Sequence, residues 1–184
     1  MSAFKNLRLY TGFRVALLIG LFSLNYTSVQ AQQAAKDISQ ADIPAFHQAS
    51  ETLYTSAQPS KKALEVLAKN GVKHVINLRP ASELDWDEQA WVESLGMTYH
   101  SIPVAGAKGV TTENATKLRV LLSKLESETT LLHCSSSNRV GGLRALIAYE
   151  DNGGDVDAAI DAGKQWGLSE LADKVREQLA PAAQ

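Results

Sequence analysis

The sequence predicts an α/β domain with a mainly parallel central sheet flanked by helices. Three observations carry that expectation. Short β-branched and apolar runs at 72–78, 97–104 and 129–133 alternate with longer stretches whose apolar residues recur at helical spacing. The chain has 184 residues, 45% hydrophobic and 21% charged, the size and composition of one globular domain. It holds no internal repeat and no low-complexity tract that would split it into further folded units.

The first residues read differently. Lys5, Arg8 and Arg14 make a basic start, residues 15–24 are an apolar run, and Val29-Gln30-Ala31 puts small residues where a signal peptidase reads. The run is too short to span a bilayer, which takes about 20 residues, and Asn25 and Tyr26 end it. The expectation is a cleaved signal peptide over 1–31. That makes the protein periplasmic, without stable membrane insertion, and no cysteine near the cleavage site offers a lipid anchor. Cleavage would leave fifteen Lys and Arg against twenty Asp and Glu, a net charge of −5. That balance argues against non-specific nucleic-acid binding, which needs clustered positive charge.

Residues 32–46 are polar, small and aperiodic and read as a flexible lead-in, which assigns 47–184 to the folded domain. A short strand at 52–55 closes in Gln58-Pro59-Ser60. Ser60 caps a helix over 61–70 with Ala63, Leu64, Val66 and Leu67 on one face, and Asn70-Gly71 ends it. The buried strand 72–78 stops at Arg79-Pro80. A second helix is expected over 83–95, with Trp86, Ala90, Trp91 and Leu95 at helical spacing, then a strand over 97–104. Thr111 or Thr112 caps a helix running to about Glu126. The third buried strand, 129–133, leads to a helix over 140–150, and Asn152-Gly153-Gly154 breaks the chain. Two closing helices, 156–166 and 169–179, turn at Gly167 and lay their apolar stripe on the sheet.

The chemistry concentrates at the single cysteine. One thiol cannot make an internal disulfide, and a lone Cys is ordinarily a small buried hydrophobe. Here, however, a strand runs straight into Cys134, followed by Ser135-Ser136-Ser137-Asn138 and then Arg139 at the mouth of a helix. In an open α/β sheet, ligands bind beyond the carboxyl ends of the strands. A short loop of small residues can turn several backbone N–H groups toward one point, and the helix adds its positive end. These groups and the Arg139 guanidinium favour a thiolate at Cys134. Arg139 can grip a tetrahedral oxyanion through two parallel hydrogen bonds. The set suits covalent phosphoryl transfer through a cysteinyl-phosphate, with no cofactor.

The run His133-Cys134, small loop, Arg139 resembles the signature of cysteine-dependent phosphatases. The stretches Tyr54–Ser60, Gly71–Pro80, Tyr99–Val104 and Leu132–Gly141 are similar to one bacterial branch, phosphatases resembling the phosphatase-like domain of beta-lactamase-hydrolase-like proteins. The resemblance covers about residues 50–150. It implies a dual-specificity-phosphatase-like fold, Cys134 as nucleophile, Arg139 as phosphate clamp, and a phosphate cradle over Ser135, Ser136, Ser137, Asn138, Arg139 and Val140. The substrate it implies is a phosphorylated small molecule or a phosphoprotein.

Several positions depart from the wider superfamily pattern. Four residues separate Cys134 from Arg139 where most relatives have five, and four is also common in rhodanese-like sulfurtransferases. Ser137 stands where glycine is common, so a left-handed backbone there would be strained. Val140 follows Arg139 where many relatives have Ser or Thr. The loop Ala105-Gly-Ala-Lys-Gly-Val110 carries no Asp for a general acid. Glu113 is the nearest candidate, with Asp85 and Asp87 behind it, although each also reads as helix-start or solvated charge. His133 is expected to orient the cysteine loop. Arg79 is expected either to help bind the anion or to pair with Glu83. His74 reads as a packed or edge residue of its strand, and His47 and His100 have no carboxylate or cysteine partner at metal spacing, so no metal site is expected. Lys108 reads as solvated, and Trp86 as helix packing or a pocket rim. The alternatives to hydrolysis are sulfur transfer and a phosphate- or phosphoprotein-binding module with weak turnover.

Overall fold

The computed structural model describes residues 33–34 and 36–180, so the signal-peptide expectation lies outside the described residues. Residues 36–40 are helical, where the aperiodic composition predicts no element. From Ala41 onward the chain forms one α/β domain. No helix among the described residues is long and apolar enough to cross a membrane.

The sheet has five strands: β1 (His47–Gln48), β2 (Leu53–Ser56), β3 (His74–Asn77), β4 (Thr98–Ser101) and β5 (Thr130–His133). Their order is β1-β2-β5-β3-β4, with β1 antiparallel to β2 and every other pair parallel. The two-residue β1 is too short to leave a sequence pattern. Central β5 pairs on both sides, Leu132 with Thr55 and with Ile76. A parallel strand covered on both faces is buried along its length, and all of β5 is, its Thr130 and His133 included.

The helices are α1 (Lys61–Lys69), α2 (Glu88–Ser94), α3 (Thr112–Lys124), α4 (Asn138–Asp151), α5 (Val156–Lys164) and α6 (Ala172–Leu179). Ser60 caps α1 by accepting from the Ala63 amide at 3.1 Å, and Ala63, Leu64 and Leu67 make its buried face. The helix expected from Glu83 begins only at Glu88. Asp87 caps it, accepting from the Ala90 amide at 2.9 Å, while residues Ala81–Glu83 form a separate 3₁₀ turn and Leu84 is extended. That break leaves Glu83 half-buried and places Glu88 in the interior.

Strand alternation sorts side chains by face. Leu132 and Cys134 join Ile76, Leu78, Ile102 and Val104 in the core beneath α4, whereas His133 points to the opposite face and meets Glu88 of α2. Helix α4 is buried over most of its length because α3, α5 and α6 all pack on it. Its contact with α5 is close enough to require glycine. A Cβ on Gly141 would lie 2.6 Å from the Gly163 carbonyl oxygen, and one on Gly163 would lie 2.7 Å from that of Gly141. This fixes the first turn of α4, which carries Arg139.

Candidate active site

The site forms where β5 ends. Cys134 is fully buried, and its amide donates to the Ser56 carbonyl at 3.4 Å, pinning the strand end to β2. Ser135 and Ser136 are the exposed residues of the loop, and their amide N–H groups donate to no acceptor among the described residues. Helix α4 starts at Asn138, two residues before the expected position, so Arg139 lies within its first turn.

Arg139 turns back across the loop. Its Nη1 donates to Glu83 Oε1 at 2.9 Å and to the Val104 carbonyl at 2.7 Å. Its Nη2 donates to Glu83 Oε2 at 2.7 Å and to Ser135 Oγ at 2.9 Å. Burial works against the Arg139 charge, but the Glu83 hydrogen bonds and the nearby Cys134 sulfur hold the guanidinium above its ordinary value. The Arg139 hydrogen bond in turn holds the Glu83 carboxyl below the usual carboxylate range.

The other expected cradle residues serve the loop's shape through their side chains. Ser137 adopts φ +69°, the left-handed conformation the sequence flags as strained, and its Oγ donates to the Trp166 carbonyl at 3.1 Å. Asn138 Oδ1 accepts from the Ser169 and Leu171 amides at 2.9 and 3.1 Å, tying the loop to the segment before α6. Val140 is fully buried in the core. The groups Ser137, Asn138 and Val140 keep for an anion are therefore on the backbone.

A buried carboxylate supports the site from the opposite face. Glu88 is 1% exposed. Its oxygens accept from Gln58 Nε2 and Asn77 Nδ2, each at 2.5 Å, and lie 3.4 Å from His133 Nε2. Burial raises the Glu88 carboxyl, yet its His133, Gln58 and Tyr99 neighbours bring it below the usual range. Arg79 Nη1 donates to Gln58 Oε1 at 2.5 Å, and its Nε lies 3.5 Å from Glu83 Oε2. Arg79 thus takes the Glu83 pairing that was one of its two expected roles. It also lines a cavity of about 310 Å³ with Leu84, Trp86, Glu88, Tyr99 and Ser101.

Glu88 and its polar partners escape a reading of the sequence because Glu88 resembles any first-turn helix carboxylate. Glu113 lies on the exposed start of α3, where Lys117 donates to it at 2.7 Å and holds its carboxyl below the usual range. A general acid needs the opposite shift. Asp87 is engaged as the α2 cap. His74 Nδ1 and His100 Nε2 meet at 3.1 Å, but among the described residues no three His, Cys, Asp or Glu are grouped to hold a metal ion.

No family model and no curated protein matches the chain. Solved structures do. A candidate phosphatase (DUF442) from Shewanella putrefaciens is 22% identical with a TM-score of 0.58, covering 75% of this chain and 92% of that one. A candidate phosphatase from Neisseria meningitidis is also 22% identical, with a TM-score of 0.56 over 73% of this chain and 97% of that one. Pseudomonas aeruginosa TpbA, in a cysteine-to-serine form bound to phosphotyrosine, is 22% identical with a TM-score of 0.50 over 74% of this chain and 91% of that one. These likenesses show the fold, the α/β domain that this chain shares with those three structures.

Proposed function

We propose that this chain is an exported, cysteine-dependent phosphatase that hydrolyses a phosphate ester through a cysteinyl-phosphate. We place it in the bacterial branch similar to the phosphatase-like domain of beta-lactamase-hydrolase-like proteins. One observation carries the reading: a buried arginine returns from the first turn of α4 to the cysteine loop, 2.9 Å from Ser135 Oγ, within range of the Cys134 sulfur. The fold shared with phosphatases supports it.

In this mechanism the Cys134 sulfur attacks phosphorus, an S–P bond forms, and the bond to the ester oxygen breaks. Arg139 and the free amides of Ser135 and Ser136 hold the equatorial oxygens as charge develops. Water then attacks phosphorus, and the S–P bond breaks to return the cysteine and release inorganic phosphate. Glu113 and Asp87 are engaged elsewhere and Asp85, the third candidate, is exposed; a leaving oxygen that is stable without a proton then departs best. Activated aryl phosphates are therefore expected to turn over much faster than alkyl phosphates. Phosphotyrosine in the TpbA complex is consistent with an aryl ester.

The test compares wild type with Cys134→Ser, Arg139→Ala and Glu113→Gln on p-nitrophenyl phosphate and on thiosulfate with cyanide. The first two variants are expected to lose activity by about 10³-fold and 10²-fold. Glu113→Gln is expected to stay within about twofold, where loss of a general acid would cost about 10²-fold or more. Full phosphatase activity in Cys134→Ser, or thiosulfate turnover in place of phosphatase turnover, removes the proposal. A second reading, a phosphate- or phosphoprotein-binding module, is favoured by the pairing of Glu113 with Lys117. It requires anion binding without turnover. Export is tested by the N-terminal mass of protein from the periplasm, expected to begin after Ala31.

A further inference from the structure

We infer that Gln58 is a positioning residue for the anion cradle, holding the Ser135–Ser136 peptide so that the Ser136 N–H faces into the cysteine loop. The inference rests on the reading of Cys134, Arg139 and the loop amides as a phosphate site.

Strand β2 and the residues after it stay in contact with the chain beyond the point where β5 ends. The Cys134 amide donates to the Ser56 carbonyl, Ala57 bridges Ser136 in the antiparallel sense, and the Gln58 amide donates to the Ser135 carbonyl at 3.4 Å. Among the described residues no peptide bond is cis. In a planar trans peptide the Ser135 carbonyl and the Ser136 N–H therefore point in opposite directions. With the carbonyl turned outward to Gln58, the Ser136 N–H is turned away from β2 and into the loop. It donates to no acceptor among the described residues, which leaves it for an anion. Reversing that one peptide would aim a carbonyl oxygen at the anion instead.

The Gln58 side chain keeps its own backbone in place. Its Oε1 accepts from Arg79 Nη1 and its Nε2 donates to Glu88 Oε1, each at 2.5 Å. Glu88 is buried and held on its other oxygen by Asn77. The residue type matches these two neighbours. A carboxylate at position 58 would face the Glu88 carboxylate, and a cation would face the Arg79 guanidinium. A neutral amide offers an acceptor to one and a donor to the other. A mere brace and a positioning residue both lower stability when lost. Only the second changes how the folded loop meets an anion.

The experiment compares the full chain with its Gln58→Met variant, which keeps the length of the side chain without either hydrogen bond. Inorganic tungstate affinity, p-nitrophenyl phosphate kinetics and the urea midpoint are measured for both. The amide resonances of isotopically labelled serine are followed as tungstate is added, with Ser136 identified by its absence in Ser136→Ala. In wild type the Ser136 amide proton is expected to move downfield. In Gln58→Met it is expected to move by less than about half as much, with tungstate bound about tenfold more weakly. The kcat is expected to fall about tenfold, less than the roughly 10²-fold loss of a donor removed outright. A lower urea midpoint with wild-type tungstate affinity, or a full Ser136 shift in Gln58→Met, overturns the inference. So does a Ser136 amide that ignores tungstate in wild type. If Gln58→Met does not fold, Gln58→Asn, one methylene shorter, takes its place with the same expected and overturning results. A wild type that binds tungstate without turning over ester removes the hydrolase reading and leaves the amide comparison decisive for Gln58. A wild type that binds no tungstate removes both.

Discussion

Ser137 and Gly167 fit together as side chain and gap: a Cβ placed on Gly167 would stand 2.3 Å from Ser137 Oγ. Both residues have positive φ, +69° and +94°. The left-handed conformation costs a non-glycine residue about 1–2 kcal/mol. At Ser137 the hydrogen bond to the Trp166 carbonyl offsets about 1 kcal/mol of that. The cysteine loop is thus held by the turn between α5 and α6.

This pairing sets a double-mutant cycle. Gly167→Ala meets both a backbone penalty and the Ser137 side chain, and is expected to lose about 3 kcal/mol or more in urea unfolding. Ser137→Gly relieves strain but loses a hydrogen bond and adds chain entropy, so it should change stability by less than about 1 kcal/mol. The double variant should then be more stable than Gly167→Ala alone by at least about 1 kcal/mol. Strict additivity would show that the clash is not the governing term.

Glu88 yields a second expectation. Its carboxylate is the shared acceptor for Gln58 and Asn77 and faces His133 from 3.4 Å. Glu88→Ala strands these buried groups and opens a void, a loss of about 3–5 kcal/mol. Glu88→Gln keeps the volume and one acceptor oxygen and should lose distinctly less. Denaturant midpoints of the two variants check the order, and equal losses would assign the effect to charge rather than to stranded partners.

The strand, cysteine, loop and arginine are legible in the sequence because they are consecutive and of diagnostic types. The packing elements are legible where period and caps agree, as at Ser60 and α1. Three features are not. Glu83 meets Arg139 across 56 positions of chain, and no local pattern encodes that pairing. The helix expected over 83–95 hides a break, because Trp86, Ala90 and Trp91 keep helical spacing across a segment that Asp87 restarts. The strain at Ser137 is readable from the residue type, but its compensation by Trp166 and Gly167 depends on tertiary packing.

Burial and charge at Cys134 make a third test. The thiol is covered, and the Arg139 guanidinium lies close enough to feel the sulfur's charge. An anionic alkylating reagent is drawn to that field, whereas a neutral one of similar size is not. Iodoacetate is therefore expected to modify Cys134 faster than iodoacetamide by about tenfold at low salt, with the ratio collapsing in Arg139→Ala and at high salt. Peptide mass analysis over time measures both rates. A ratio of one in wild type would show that Arg139 does not govern access to the sulfur.

Tyr99 gives the pH expectation. Burial raises its phenol to about 12 from an ordinary 10.0, the Asn77 hydrogen bond works against the rise, and the Glu88 carboxylate adds to it. The folded state therefore keeps the phenolic proton after the unfolded chain has released it. Between about pH 10 and pH 12 the unfolded state binds fewer protons, so stability falls as pH rises through this window. The contribution is fully present below pH 10. Ultraviolet titration of the folded protein should show a tyrosine ionising near the top of the window, identified as Tyr99 by its absence in Tyr99→Phe. Glu88→Gln removes the neighbouring negative charge and should move that transition to lower pH. A transition in Glu88→Gln at or above the wild-type position would mean that burial alone sets it.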